Sequence, residues 1–266
     1  MEPATTLAPR SLLFVPAIRP GMIAKAAGLD ADLIVLDLED SVRADDKAAA
    51  RAALPGALER LHGRDAAVRV NAPDSAHFSD DLAMLDGVGD TLVVVPKVQS
   101  PADLAPLSGR ALLPMIETPT GVLAAGAIAA AAGVAGLLVG TNDLAAALRL
   151  PPDAGRGALT TALHMVVLAA RAAGGWALDG VFNALDDADG LARECAEGRA
   201  MGFDGKSLIH PGQIAVANAV FSPTPAELAE AEAMIAAAGG GAERFRNRMI
   251  EDMHVETARR LLQRAR

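Results

Sequence analysis

The chain has 266 residues, 52% of them hydrophobic, a formal net charge of -9 and a pI near 5.0. That length suits one sizeable core and lies close to the roughly 250 residues of a (β/α)8 barrel. The negative long-range field argues against nucleic acid or an anionic membrane as a partner. The single cysteine, Cys195, excludes an internal disulfide, and no unbroken apolar run is long enough for a spanning helix. The leader MEPATTLAP has neither a basic start nor an apolar core, so a cytoplasmic location is expected.

In chain order, SLLFVPA (Ser11 to Ala17) reads as the first strand, and Pro20-Gly21 opens a short helix that Gly28 stops. LIVLDLED (Leu33 to Asp40) is a short, branched apolar run that ends in carboxylates, the pattern of a fully buried strand whose far end opens onto polar chemistry. A charged, alanine-rich helix spans Ala44 to Leu61, and AAVRVN follows as the third strand, carrying Arg69 and Asn71. A turn-rich loop and a short helix lead to Gly87 to Gly89. TLVVVPKV is the fourth strand with Lys97, Pro101 to Leu107 a short helix, ALLPMIET the fifth strand with Glu117, and Thr120 to Ala132 its helix. GLLVGTND is the sixth strand, ending on Asn142 and Asp143, with a helix from Ala158 to Ala173 beyond a loop. LDGVFN, ending on Asn183, is the seventh; a helix from Ala188 to Met201 precedes GKSLI, the eighth, with Lys206 and His210.

Strict alternation of strand and helix argues for a parallel sheet covered by helices, and eight units in this length favour closure into a (β/α)8 TIM barrel. The C-terminal ends of the strands then face one another. The barrel is expected over 1–221 and a C-terminal helical extension, or lid, over 222–266. In that extension Thr224-Pro225-Ala226-Glu227 is a capping box that starts a helix running to about Ala238. Gly239 to Gly241 break it, and a last helix from about Met249 carries an apolar face that must dock on something.

Glu117 and Asp143, hard carboxylates on neighbouring strand ends with no histidine or cysteine cluster nearby, suit Mg2+. The competing reading is that each caps the helix that follows it. Arg69 can grip a carboxylate in a bidentate manner, or pair with Asp37 or Glu39; both hold at once if Asp37 keeps Arg69 in place. Lys97 at a strand end suggests either a Schiff-base lysine or a polar contact. Arg10, Arg19 and Lys25, beside a helix N-terminus, are candidate phosphate partners or solvated surface charges. Lys47 and Arg51 read as a charged helix face unless that helix packs on the site, and Cys195 as an inert packed thiol.

RSLLFVPA at Arg10, LDLEDSV followed by Lys47 and Arg51, RVN at Arg69, PKVQS, IETPTGV at Glu117, the run to Asp143 and GFDGKSLIHPGQI together resemble the citrate lyase β-subunit-like branch of the HpcH/HpaI aldolase family. The strings cover nearly the whole chain in the right order, and GFDGKSLIHP is the strongest of them. The resemblance implies a (β/α)8 barrel, usually trimeric or hexameric, that uses Mg2+ to cleave or form carbon-carbon bonds in citryl, malyl or citramalyl thioesters. It implies that Glu117 and Asp143 are the metal ligands, that Arg69 clamps the substrate carboxylate, and that Lys97 is a polar contact near the mouth. It also implies that Asp37 belongs to the catalytic set, with a purely structural role still open. The proton donor to the enolate is expected on the C-terminal segment, here MIEDMHVETA, which reaches over the site of an adjacent subunit; Glu251 and Asp252 are both candidates, against a simple first-turn role. Gly140-Thr141-Asn142 departs from the family's usual glycine and acid before Asp143, and tyrosine is absent. Three functions follow: a Mg2+-dependent lyase that releases an acyl-CoA and a 2-oxo acid, the β-subunit of a citrate lyase acting on an acyl carrier protein thioester, or a non-catalytic barrel that binds CoA esters. Intact Asp37, Arg69, Glu117 and Asp143 count against the last.

Overall fold

The structure is a computed structural model and describes residues 7–265. Eight parallel strands close into a barrel in chain order: β1 (Ser11–Pro16), β2 (Leu33–Asp37), β3 (Ala66–Arg69), β4 (Leu92–Val95), β5 (Leu112–Ile116), β6 (Gly136–Val139), β7 (Trp176–Asp179) and β8 (Gly205–Leu208). Pairing of Leu12 with Ser207 seals β1 to β8. The strands read as continuous Leu, Ile and Val runs because both faces are buried, one in the lumen and one under helices. Leu12, Leu33, Val35, Ala67, Val94, Leu113, Met115, Leu138 and Leu178 fill the lumen as one cluster. Side chains alternate along a strand, so the inner face of β2 continues from Val35 to Asp37, that of β3 from Ala67 to Arg69, and that of β5 from Met115 to Glu117. The residues that carry charge therefore project into the mouth at the C-terminal ends of the strands.

Outside the strands lie α1 (Pro20–Ala26), α2 (Lys47–Arg60), α3 (Phe78–Leu85), α4 (Pro119–Ala129), α5 (Thr141–Ala147), α6 (Thr160–Ala172), α7 (Ala188–Met201) and α8 (Ile214–Phe221). Thr118 starts α4 by accepting a hydrogen bond from Gly121 N at 3.0 Å, with Pro119 at the first helical position. That cap fixes the chain's direction immediately after Glu117. Pro101–Leu107 is a 3-10 segment, with Pro106 inside it removing a helical donor. β6 is shorter than expected: it stops at Val139, and Asn142 and Asp143 stand in the first turn of α5. No helix among the described residues is long and apolar enough to cross a membrane.

The chain divides into two compact units, residues 1–218 and residues 219–266. The second unit contains α9 (Pro225–Ala237), a hairpin of β9 (Glu243–Phe245) and β10 (Arg248–Ile250), and α10 (Asp252–Gln263). The capping box forms as read: Thr224 Oγ1 accepts from Glu227 N, and Glu227 Oε2 accepts from Thr224 N at 2.7 Å. Gly240 and Gly241, with φ of 102° and 94°, take the chain out of α9 through conformations that favour glycine. The hairpin replaces the start of the expected last helix, placing Met249 in β10. Ala231, Met234, Phe245, Ile250 and Ala258 form this unit's own core.

Candidate active site at the barrel mouth

Asp37 is fully buried and saturated. Its Oδ1 accepts from Arg69 Nε at 2.6 Å and from Glu39 N at 2.9 Å; its Oδ2 accepts from Arg69 Nη2 at 2.7 Å and from Ser41 N at 3.0 Å. Two backbone donors come from positions two and four residues downstream, the local turn that an aspartate favours. Burial works against the charge on Asp37, but Arg69 and these donors outweigh it and hold the carboxyl below its usual value. Asp37 is thus built to aim Arg69. The guanidinium lies over the Phe14 ring at 4.6 Å, and its Nη1 stands 3.0 Å from Glu39 Oε2 and 3.3 Å from the exposed Asp40. Burial opposes the charge on Arg69 too, yet the three acids raise its pKa.

Glu39 links two cations. Its Oε1 accepts from Lys97 Nζ at 2.7 Å, while Oε2, near Arg69, makes no hydrogen bond of good geometry. Lys97 also lies 3.4 Å from Asp143 Oδ2, and its backbone N–H donates to Glu117 Oε1 at 2.7 Å. Burial lowers the affinity of Lys97 for its proton, but Glu39, Asp40 and Asp143 more than compensate, and the amine is held charged. A Schiff-base role needs a neutral amine, so this geometry argues against it. Glu117 is pushed up to about 7, first by burial and then by the neighbouring Glu39 and Asp143. Gly140 makes room for it: a Cβ there would overlap Glu117 Oε2.

The structure thus gathers Asp37, Arg69, Lys97, Glu117 and Asp143 at one mouth and adds Glu39 and Asp40. Glu39 was legible in part, since it follows Asp37 in LDLED. Lys206 and Arg10 depart from expectation, and Lys47 takes the packed alternative rather than the solvated one. Lys47 is no surface charge: it is buried, and its Nζ donates to the carbonyls of Leu38 and Glu39 at 2.8 and 2.9 Å, bracing the acidic loop. Lys206 does not enter the mouth. Its register partner is Asp179, which follows the inward Leu178 and so points outward, and Lys206 Nζ pairs there with Asp179 at 3.0 Å and Glu194 at 2.7 Å, joined by Arg156. Arg10 precedes β1 at the opposite rim, where its side chain grips Asp32 at 2.9 and 2.7 Å, so it cannot meet a ligand at the mouth. Arg19 and Lys25 follow β1 and are exposed. Glu251 and Asp252 belong to the second unit, Glu251 preceding α10 and Asp252 opening it.

Five carboxylates against Arg69 and Lys97 leave this mouth with an excess of negative charge that a cation would relieve. Among the described residues no three His, Cys, Asp or Glu side chains converge as a closed cage. Two acids that share Lys97 but leave further positions open fit Mg2+, which keeps water and substrate oxygens around it. Fold and site together define a (β/α)8 barrel with a charged cluster at the C-terminal ends of its strands, the end at which barrels of this class carry their active sites.

Residues 10–211 match the HpcH/HpaI aldolase/citrate lyase family. A (3S)-malyl-CoA thioesterase of Cereibacter sphaeroides is 43% identical over 272 residues, covering 96% of this chain and 94% of that protein. A citrate lyase subunit beta-like protein of Mycobacterium tuberculosis is 37% identical over 95% of this chain and 94% of its own length. The crystal structure of CitE from Mycobacterium tuberculosis with magnesium, acetoacetate and coenzyme A superposes with a TM-score of 0.85 at 36% identity, covering 98% of both chains. The chain belongs to the HpcH/HpaI aldolase/citrate lyase family, in its citrate lyase β-like branch.

Proposed function

We propose that the protein is a Mg2+-dependent lyase that splits a 3-hydroxy-3-carboxyacyl-CoA of the malyl, citramalyl or citryl class into an acyl-CoA and a 2-oxo acid. The observation that carries this reading is the pair Glu117 and Asp143, tied to one lysine beside an arginine held by a saturated aspartate. Mg2+ held by Glu117 and Asp143 would stabilise the oxygen on which negative charge changes during cleavage. Of the five donors of Arg69, two are committed to Asp37, while Nη1 faces Glu39 and the exposed Asp40. A substrate carboxylate displaces Asp40 and takes those donors, which orients the carbinol carbon. Asp37, with four bonds made, serves as the positioning residue. A base takes the carbinol hydroxyl proton, the carbon-carbon bond breaks as the 2-oxo acid forms, and the acyl-CoA leaves as an enolate that Glu251 or Asp252 of an adjacent subunit protonates. Exposed Met249 and Met253 flank these acids and support a lid that closes on another surface within a trimer or hexamer.

Hydrolysis of the thioester is a second reading, favoured by the 43% identity to a (3S)-malyl-CoA thioesterase. Incubation with (3S)-malyl-CoA and Mg2+ separates the two: glyoxylate with acetyl-CoA marks the lyase, malate with free CoA the hydrolase. Turnover confined to a carrier-protein thioester would instead assign the chain to a citrate lyase complex, and turnover of no ester would refute the enzymatic reading.

A further inference from the structure

Lys97 stands where the acids of the mouth meet, in a backbone conformation unusual for its residue type. Its φ of 54° lies in the left-handed region, which disfavours an L side chain and suits glycine. That conformation turns its N–H onto Glu117 Oε1, while Nζ reaches Glu39 at 2.7 Å and Asp143 at 3.4 Å. One residue therefore touches both expected metal ligands, one through the main chain and one through its ammonium. The two touches differ in kind. The main-chain bond is short and directional and is made to a buried carboxylate, leaving the second oxygen of Glu117 available. The ammonium is 35% exposed beside an Asp143 that is 45% exposed, so it can withdraw along its flexible stem. Strained backbone of this sort persists where the surroundings over-determine it.

We propose that Lys97 is a tethered cation that balances the carboxylates when no metal is bound and competes with the metal for Asp143. It sets the affinity of the site by positioning charge and is not itself a catalytic residue. This inference rests on the metal reading of Glu117 and Asp143. Without a cation between them, Glu39, Glu117 and Asp143 repel one another; with both the ammonium and a divalent ion in place, those two repel instead. The lysine therefore stabilises the empty site and weakens the filled one.

The test uses the full-length chain, Mn2+ as a spectroscopic probe, and the variants Lys97→Gly and Lys97→Met. Glycine keeps the left-handed backbone without strain, and methionine keeps the stem without the charge. Both variants are expected to bind Mn2+ about five- to tenfold more tightly than the wild type. Both should also melt at a lower temperature without metal and gain more from saturating Mn2+. Wild-type protein that binds no Mn2+ overturns the metal reading and this inference together. Wild-type protein that binds Mn2+, alongside variants that bind it equally or more weakly, overturns this inference alone.

Discussion

Replacement of Asp37 by asparagine tests the most densely bonded group in the mouth. The wild-type carboxylate accepts four hydrogen bonds, two of them from Arg69 at 2.6 and 2.7 Å. Asparagine keeps the shape but offers one acceptor oxygen and turns an amide N–H toward donors. Removing one partner of a buried ion pair costs about 3–5 kcal/mol. Glu39 and Asp40 still face Arg69, so the lower end, about 3 kcal/mol, is expected here. Urea unfolding at pH 7 reads this as a lower midpoint at unchanged slope. Because the folded state holds the Asp37 carboxyl below its ordinary value, its contribution is fully present above the unfolded pKa, about 4, and is lost as pH falls through the folded value. The gap between wild type and Asp37→Asn should therefore be constant from pH 5 to 8 and narrow in stronger acid. A loss below about 1 kcal/mol at pH 7, or a gap that stays the same at acid pH, would refute the reasoning.

Three further outcomes follow from the geometry. Gly140→Ala, at a φ of -102° that alanine tolerates, should place its Cβ against Glu117 and reduce Mn2+ affinity at least about tenfold with an unchanged circular dichroism spectrum; unaltered binding would separate Glu117 from the metal. Cys195 is buried, and burial pushes its thiol up to about 11, so it should resist alkylation at pH 8 in the native protein and react once unfolded; rapid native labelling would contradict its packing. A chain truncated before Gly239 should remain folded and bind Mn2+ while cleaving no thioester, and mixing it with an Arg69→Ala chain should restore turnover; a fully active truncated monomer would remove the shared lid.

The barrel was legible because each strand is a short Leu, Ile and Val run with a turn signal on either side, and two-residue alternation carried Asp37, Arg69 and Glu117 to the mouth. The sequence was less informative where a run does not mark its own end. In GLLVGTND nothing distinguishes the last strand residue from the first helical one, so Asp143 was expected on β6 and stands in α5. Direction was the second gap. Lys206 is a strand residue whose facing is a matter of parity and register, which only the closed sheet sets, and Arg10 lies before β1, at the rim away from the mouth. The hairpin of β9 and β10 was missed for a third reason: of its charged alternation only Phe245 and Ile250 are buried, too few to signal a strand. Lys97 could be placed at the mouth, but its left-handed backbone could not, because no residue preference announces it.

The outward-facing cluster of Lys206, Asp179, Glu194 and Arg156 bears on how this scaffold can change its substrates. Strands β2 to β5 and the start of α5 supply every acid and cation gathered at the mouth, whereas β7 and β8 send their ionic residues behind the wall to brace α7. The barrel is therefore lopsided, with a working arc and a buttressed arc. Where the two arcs meet, Asn142 of α5, next to Asp143, and Asn183 beyond β7 exchange side-chain amide hydrogen bonds at 3.2 and 2.7 Å, both residues being exposed. Substitutions along the buttressed arc can reshape the rim without breaking the ion pairs that hold Arg69 and Lys97, so sequence change among descendants of this chain should accumulate there before it reaches the working arc.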